Sequence, residues 1–249
     1  MDRNAVIVFS GQLREARENA LRDSEAFDGI VHVVERLGSF LSESITHLGH
    51  YREKIEERAS QSALAEEIPS QWPDVHIPFS VLYELVRSGR NDALHQGAFA
   101  RRLTTHAIEL SLVLEDALRR SVESPVVSDY MARNPLCAEP WQPISFVRQQ
   151  MLANSFSFLP VKMAGEWCLV SDLEIATYLG TNNNERRQRL SHKLDKAGIG
   201  LYAARFCSID TPLKDALYML GGDQRPLLVS LNNGDQQVLV GLLTSFDLL

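Results

Sequence analysis

The C-terminal half of the chain repeats itself. Cys168-Leu-Val-Ser171-Asp-Leu-Glu174-Ile-Ala and Gly241-Leu-Leu-Thr244-Ser-Phe-Asp247-Leu-Leu each carry a short apolar run, then a hydroxyl and a carboxylate three residues apart. Upstream, Pro143-Ile144 with Val147 and Met151 is matched at one constant offset by Pro212-Leu213 with Ala216 and Leu220. Self-similarity of this kind points to two copies of one unit. Each copy reads as helix, strand, strand. In the first, apolar positions at helical spacing lead to Phe158-Leu-Pro-Val161, a turn at Ala164-Gly165-Glu166, and then Cys168-Leu-Val170. In the second, Thr211 is placed to cap a helix opening on Pro212, where a missing N–H costs nothing. Leu227-Leu-Val229 and Val238-Leu-Val240 then flank a turn at Asn232-Asn-Gly234.

With Val127-Ser-Asp-Tyr-Met131 before Asn134-Pro135, Leu159-Pro-Val161 and Gly241-x-x-Thr244-x-x-Asp247, residues 125 to 249 resemble a tandem pair of CBS domains, also called a Bateman module. The resemblance implies paired sheets and clefts that hold adenosine-containing ligands. Residue chemistry agrees: a carboxylate accepts hydrogen bonds from both ribose hydroxyls, and a Ser or Thr hydroxyl donates to phosphate oxygen. Asp247 is thus expected on ribose and Thr244 on phosphate in one cleft, with Glu174 and Ser171 in the other. Arg225 matches a position where the family often places a phosphate-facing cation; a solvated Arg before Pro226 is the alternative. Cys168 stands where the family prefers Gly, and Glu174 is one methylene longer than the usual Asp, so the second cleft is expected to bind better. A pair that only mediates dimerisation is the other alternative.

The second informative stretch is Gly89-Arg90-Asn91-Asp92-Ala93-Leu94-His95. Gly89 is expected to end one helix and Asn91 to cap the next. Arg90 before the cap and His95 as fourth helical residue then meet as in a hydrophobic staple. Arg and imidazole at a helix N-terminus suit a phosphate, since free N–H groups and the dipole attract an anion and imidazole titrates near working pH.

This stretch resembles the Arg-x4-His motif of HEPN domains, with Asn91 as the polar residue after Arg. The resemblance implies metal-independent cleavage of single-stranded RNA. The 2′-hydroxyl attacks phosphorus, His95 moves protons, Arg90 stabilises the transition state, and Asn91 orients or caps. The products carry 2′,3′-cyclic phosphate ends. Two motifs usually face each other across a dimer. Arg87, Arg101 and Arg102 surround the motif and are the expected RNA contacts, with a solvated helix face as the alternative. His106 and Arg102 follow on a similar face, where packing or surface roles are commoner.

The remaining N-terminal residues carry a helical pattern. Ile30, Val34, Leu37, Leu41, Ile45, Leu48 and Ile55 mark one long amphipathic helix, with Ser24 as candidate cap. Phe99, Leu103, Ala107, Leu110, Leu114 and Leu118 mark another. Ser60 to Pro78, with three prolines, reads as an irregular loop.

The expected fold is therefore α plus α/β: an antiparallel helical bundle over 1–122, then CBS copies at 125–180 and 201–249 joined by a linker at 181–200. A net charge of −7 argues against a broad nucleic-acid-coating surface but not against local RNA contact. Three scattered cysteines without ligand neighbours suggest neither a disulfide framework nor a metal site. The apolar run Ala5–Phe9 is too short for a leader or membrane span, so a cytoplasmic location is expected. The sequence thus suggests an adenine-nucleotide-sensing ribonuclease, working as a homodimer or higher homo-oligomer on single-stranded RNA. ATP, ADP, AMP or a cyclic adenine messenger is the regulatory ligand, and catalysis needs no cofactor. A non-catalytic, nucleotide-responsive interaction protein on a HEPN scaffold is the alternative.

Overall fold

The computed structural model describes Met1 to Leu249 except residues 24–25, 94–96, 181–182, 223 and 234–235, and the side chains of 90–93, 97–101, 232–233 and 236–237. The chain divides into two units, Met1–Glu123 and Ser124–Leu249.

Among the described residues the first unit is helical: α1 (Arg3–Arg22), α2 (Phe27–Ser42), α3 (Leu48–Ala59), α4 (Glu67–Gln71), α5 (Phe79–Ala93) and α6 (Gly97–Arg120). Asp2 starts α1 by accepting the Ala5 N–H at 2.7 Å, satisfying a donor that has no partner within the helix. The helices share one core that includes Leu13, Ile30, Leu37, Ile55, Leu110 and Leu114. Glu115 is buried at its edge but not stranded, because Arg17 reaches its two oxygens at 3.0 and 3.3 Å.

Three sequence expectations change here. The apolar stripe from Ile30 to Ile55 is two helices, α2 and α3, because the chain turns between them. Glu43 closes α2 in the left-handed region at φ 49°. Tyr51 then locks the connection, its hydroxyl donating to the Ser44 carbonyl at 3.1 Å and accepting the Thr46 N–H at 2.5 Å. Ile45, on the expected stripe, is 94% exposed. The proposed cap Ser24 lies outside the described residues. Between Ser60 and Pro78, the expected loop includes α4.

The third change bears on function. Gly89 does not end a helix, and Asn91 does not cap one, since α5 continues to Ala93. Gly89 is there for packing: a Cβ on it would lie 2.8 Å from Leu103 Cδ1 of α6.

The second unit contains β1 (Ala132–Arg133), α7 (Ile144–Asn154), β2 (Phe158–Met163), β3 (Glu166–Ser171), α8 (Asp172–Leu179), α9 (Asn183–Ser191), β4 (Tyr202–Ala203), β5 (Arg205–Ser208), α10 (Leu213–Gly221), β6 (Leu227–Asn233) and β7 (Gln236–Leu243). The strands form two sheets, in the orders β1-β7-β6-β5 and β2-β3-β4. The β2–β3 turn needs positive φ at two residues, met by Ala164 at 50° and Gly165 at 93°.

The two repeats exchange their leading segments. Strand β1, which leads the first copy, pairs with β7 of the second, while β4, which leads the second, pairs with β3 of the first. A short turn before each repeat crosses in the same way. Val127 N–H donates to Thr211 O at 2.9 Å, and Leu194 N–H donates to Gln142 O at 2.9 Å. Apolar side chains follow the backbone across. Val127 and Met131 pack with Ala216, Leu227, Val229 and Leu243, whereas Leu194 packs with Ile144, Val147, Val161 and Ile175. The segment 181–200, expected as a linker, therefore carries α9 and a core residue. Each hydrophobic core is completed by the chain that leads into the other.

Candidate ligand site

The two hydroxyl–carboxylate steps sit at equivalent strand ends but are satisfied differently. Ser171 ends β3 and caps α8, its Oγ accepting the Glu174 N–H at 3.1 Å. That bond uses the oxygen as acceptor and leaves the O–H able to donate. Glu174 then directs its carboxylate away from the cap. Its Oε1 accepts from the Tyr202 hydroxyl at 3.2 Å, and its Oε2 lies so near Gly200 that a Cβ there would be 2.8 Å away.

Tyr202 links this carboxylate to a cation. The Arg225 guanidinium lies over the Tyr202 ring, 5.0 Å from its centroid, and Phe158 meets the same ring edge-on at 6.4 Å. Arg205 fixes the backbone behind Arg225, donating to the Arg225 carbonyl at 2.9 Å and the Met219 carbonyl at 2.6 Å. A buried hydroxyl, a carboxylate, an aromatic ring and a guanidinium are thus brought together from both repeats. Arg225 joins the first step through Tyr202.

At the second step the groups satisfy each other. Asp247 Oδ2 accepts the Thr244 N–H at 2.7 Å and the Thr244 hydroxyl at 2.8 Å, while the Asp247 N–H donates to Thr244 Oγ1 at 3.3 Å. This reciprocal pair is a capping box closed on a short turn. Ala132 pairs with Leu242 where Tyr202 pairs with Leu169, so an aromatic ring stands at this register position in the first copy alone.

The Cys168 departure also has a structural cause. A Cβ at Gly241 would lie 2.5 Å from Met131 Sδ and 3.1 Å from Ala132 O, so only glycine admits the crossing chain there. Cys168 pairs instead with the small Ala203.

The expected RNA-cleaving residues are placed less completely. Arg90 and Asn91 lie in the last turns of α5, and His95 lies outside the described residues. With Asn91 helical, the cap that would set Arg90 beside His95 is missing. Arg87 donates to Glu84 through Nε at 3.0 Å, and Glu84 also receives Arg52 at 3.7 Å. The Arg87 hydrogen bond holds the Glu84 carboxyl below its usual range. Arg102 is exposed on α6, His106 buries its Nδ1, and the Arg101 side chain lies outside the described residues.

Sequence reasoning missed Tyr202, Gly200 and Arg205. A signal was available: Tyr202-Ala203 follows the first copy's Ala132-Arg133 at nearly the offset that relates the two helices, which marks it as the second copy's counterpart of that leading pair. Among the described residues there is no group of three or more side chains able to hold a metal, and no helix is long and apolar enough to cross a membrane.

No protein-family model matches the chain, and none of the curated proteins matches it. Its structural neighbours are CBS-domain pair proteins that cover about half of it. A CBS domain-containing protein from Bacillus anthracis is 15% identical, with a TM-score of 0.41, covering 49% of this chain and 88% of its own. CBSX2, solved in complex with AMP, is 20% identical, with a TM-score of 0.38, covering 49% of this chain and 91% of its own. The CBS domain pair of protein MJ0100, solved with 5-methylthioadenosine and S-adenosyl-L-methionine, is 15% identical, with a TM-score of 0.37, covering 50% of this chain and 93% of its own.

Proposed function

We propose that residues 125 to 249 are a tandem CBS pair that binds an adenine-containing ligand and transmits its occupancy to the helical unit. The observation that carries this is the meeting of Glu174, Tyr202 and Arg225 beside the Ser171 cap, drawn from both repeats. Glu174 accepts from the ribose hydroxyls, Ser171 donates to a phosphate oxygen, and Arg225 supplies charge to the same phosphate. Thr244 and Asp247 offer a second set of contacts once their mutual bonds open. Because Arg225 joins the first step through the Tyr202 ring, the first cleft is the stronger one, the reverse of the sequence expectation. ATP, ADP and AMP present both ribose hydroxyls and a phosphate, and a cyclic adenine messenger joined through its 3′-oxygen presents the phosphate and one hydroxyl. Regulation follows if the ligand has different affinities for two arrangements of the repeats.

For the output we propose metal-independent cleavage of single-stranded RNA, in a cytoplasmic homodimer or higher homo-oligomer. Arg90, Asn91 and His95 are the catalytic set, and Arg87, Arg101 and Arg102 line the approach. What supports this is the Arg-x4-His spacing at the junction of α5 and α6, together with the basic residues around it. A helical unit that holds a partner without cutting RNA is the rival, and the helical continuation of α5 through Asn91 favours it.

One experiment separates them. Purified protein is incubated with single-stranded RNA in chelator, with and without adenine nucleotide, alongside His95→Ala and Arg90→Ala. Cleavage that leaves 2′,3′-cyclic phosphate, disappears in both variants and responds to nucleotide is the expected result. Equal cleavage by wild type and variants removes the motif from the mechanism, and no cleavage by wild type leaves the partner-holding role.

A further inference from the structure

We propose that Tyr202 is a built-in competitor for the ligand, occupying the Glu174 carboxylate until ribose displaces it. This rests on the proposed adenosine site at Ser171 and Glu174. A carboxylate that is to grip two ribose hydroxyls must give up whatever it already holds, and here it holds the Tyr202 hydroxyl at 3.2 Å. The two carboxylates differ in where their partners come from. Asp247 is held by Thr244, three residues away on the same turn. Glu174 is held by a residue 28 positions away, on the strand that leads into the second repeat.

Tyr202 is in turn covered by Arg225, whose carbonyl Arg205 ties to the end of α10. Releasing Tyr202 from Glu174 therefore loosens a chain of contacts that runs from α8 of the first repeat to β6 of the second. The extra methylene of Glu174 belongs to this device. Glycine at position 200 lets the carboxylate lie against the crossing backbone, where a Cβ would stand 2.8 Å from Oε2. Ligand entry and rearrangement between repeats become one event.

The hydroxyl can be removed while the ring is kept. Tyr202→Phe leaves the contacts with Phe158 and Arg225 in place but frees Glu174, so only the unliganded state loses a bond. Adenine nucleotide should then bind more tightly, by roughly threefold to tenfold for a half-exposed bond to a charged acceptor. Calorimetric titration of the full chain with AMP and ATP compares wild type, Tyr202→Phe and Glu174→Ala. Tighter binding by Tyr202→Phe, or binding by that variant alone, supports the competitor. Equal or weaker binding by Tyr202→Phe overturns it while leaving the ligand site standing. Unchanged binding by Glu174→Ala, or no binding by any form, overturns the ligand site itself and the competitor with it.

Discussion

Replacing Leu194 by Ala tests whether the segment between the repeats is a linker or part of a core. Leu194 is 3% exposed and packs with Ile144, Val147, Val161 and Ile175 of the first repeat. Deleting a buried leucine side chain in this way costs about 2–5 kcal/mol, counting lost transfer energy and the cavity left behind. A linker residue would change stability by no more than about 0.5 kcal/mol. For a urea dependence of roughly 2 kcal/mol per molar, the expected midpoint shift is about 1–2.5 M. Trp167 on β3 reports the transition when Trp72 and Trp141, both more than half exposed, are replaced by Phe. Lys193→Ala and Lys196→Ala, at exposed positions on either side, serve as controls that should not move the midpoint. A Leu194→Ala midpoint that coincides with these controls would refute the exchange of segments.

Three further outcomes follow from close contacts and burial. Gly241→Ala should cost about 1–3 kcal/mol by overpacking, because its Cβ would meet Met131 Sδ at 2.5 Å; adding Met131→Ala should recover part of that cost, and strict additivity in the double-mutant cycle would contradict the contact. Gly38→Ala should lower the thermal midpoint of the helical unit despite better helix propensity, since its Cβ would lie 2.5 Å from Tyr51 Cβ, and a rise would contradict it. Burial pushes the Cys207 thiol up to about 11, above the roughly 8.5 of an unfolded chain. Its contribution is whole below about pH 8.5 and is lost as pH rises through about 11, because the unfolded chain releases its proton first. Cys207→Ala should flatten the alkaline fall in urea midpoint, and an unchanged fall would assign it to other groups.

The repeat was legible in the sequence because its apolar spacing and hydroxyl–carboxylate steps recur as local patterns. What pairs with what was not, since two-residue strands such as Ala132–Arg133 and Tyr202–Ala203 carry almost no periodicity. The Gly241 and Cys168 difference was visible, but its cause, a methionine sulfur crossing from the other repeat, is a long-range contact. In the helical half, the stripe that includes Ile30, Leu37 and Ile55 had the right period, yet periodicity cannot report a turn held by a tyrosine hydroxyl. Gly89 is ambiguous in sequence for a related reason. A glycine ending a helix and a glycine admitting a neighbouring leucine look the same in sequence, and only the packing of α5 against α6 distinguishes them.

If Glu174 belongs to an adenine-ligand site built by both repeats, hydrogen–deuterium exchange of the full chain with and without saturating AMP or ATP will report it at two places. Nucleotide should slow exchange at residues 171–175 and change it at residues 200–206, where Tyr202 is released, and Glu174→Ala should abolish both effects together. A change confined to one segment, or retained in Glu174→Ala, would contradict this.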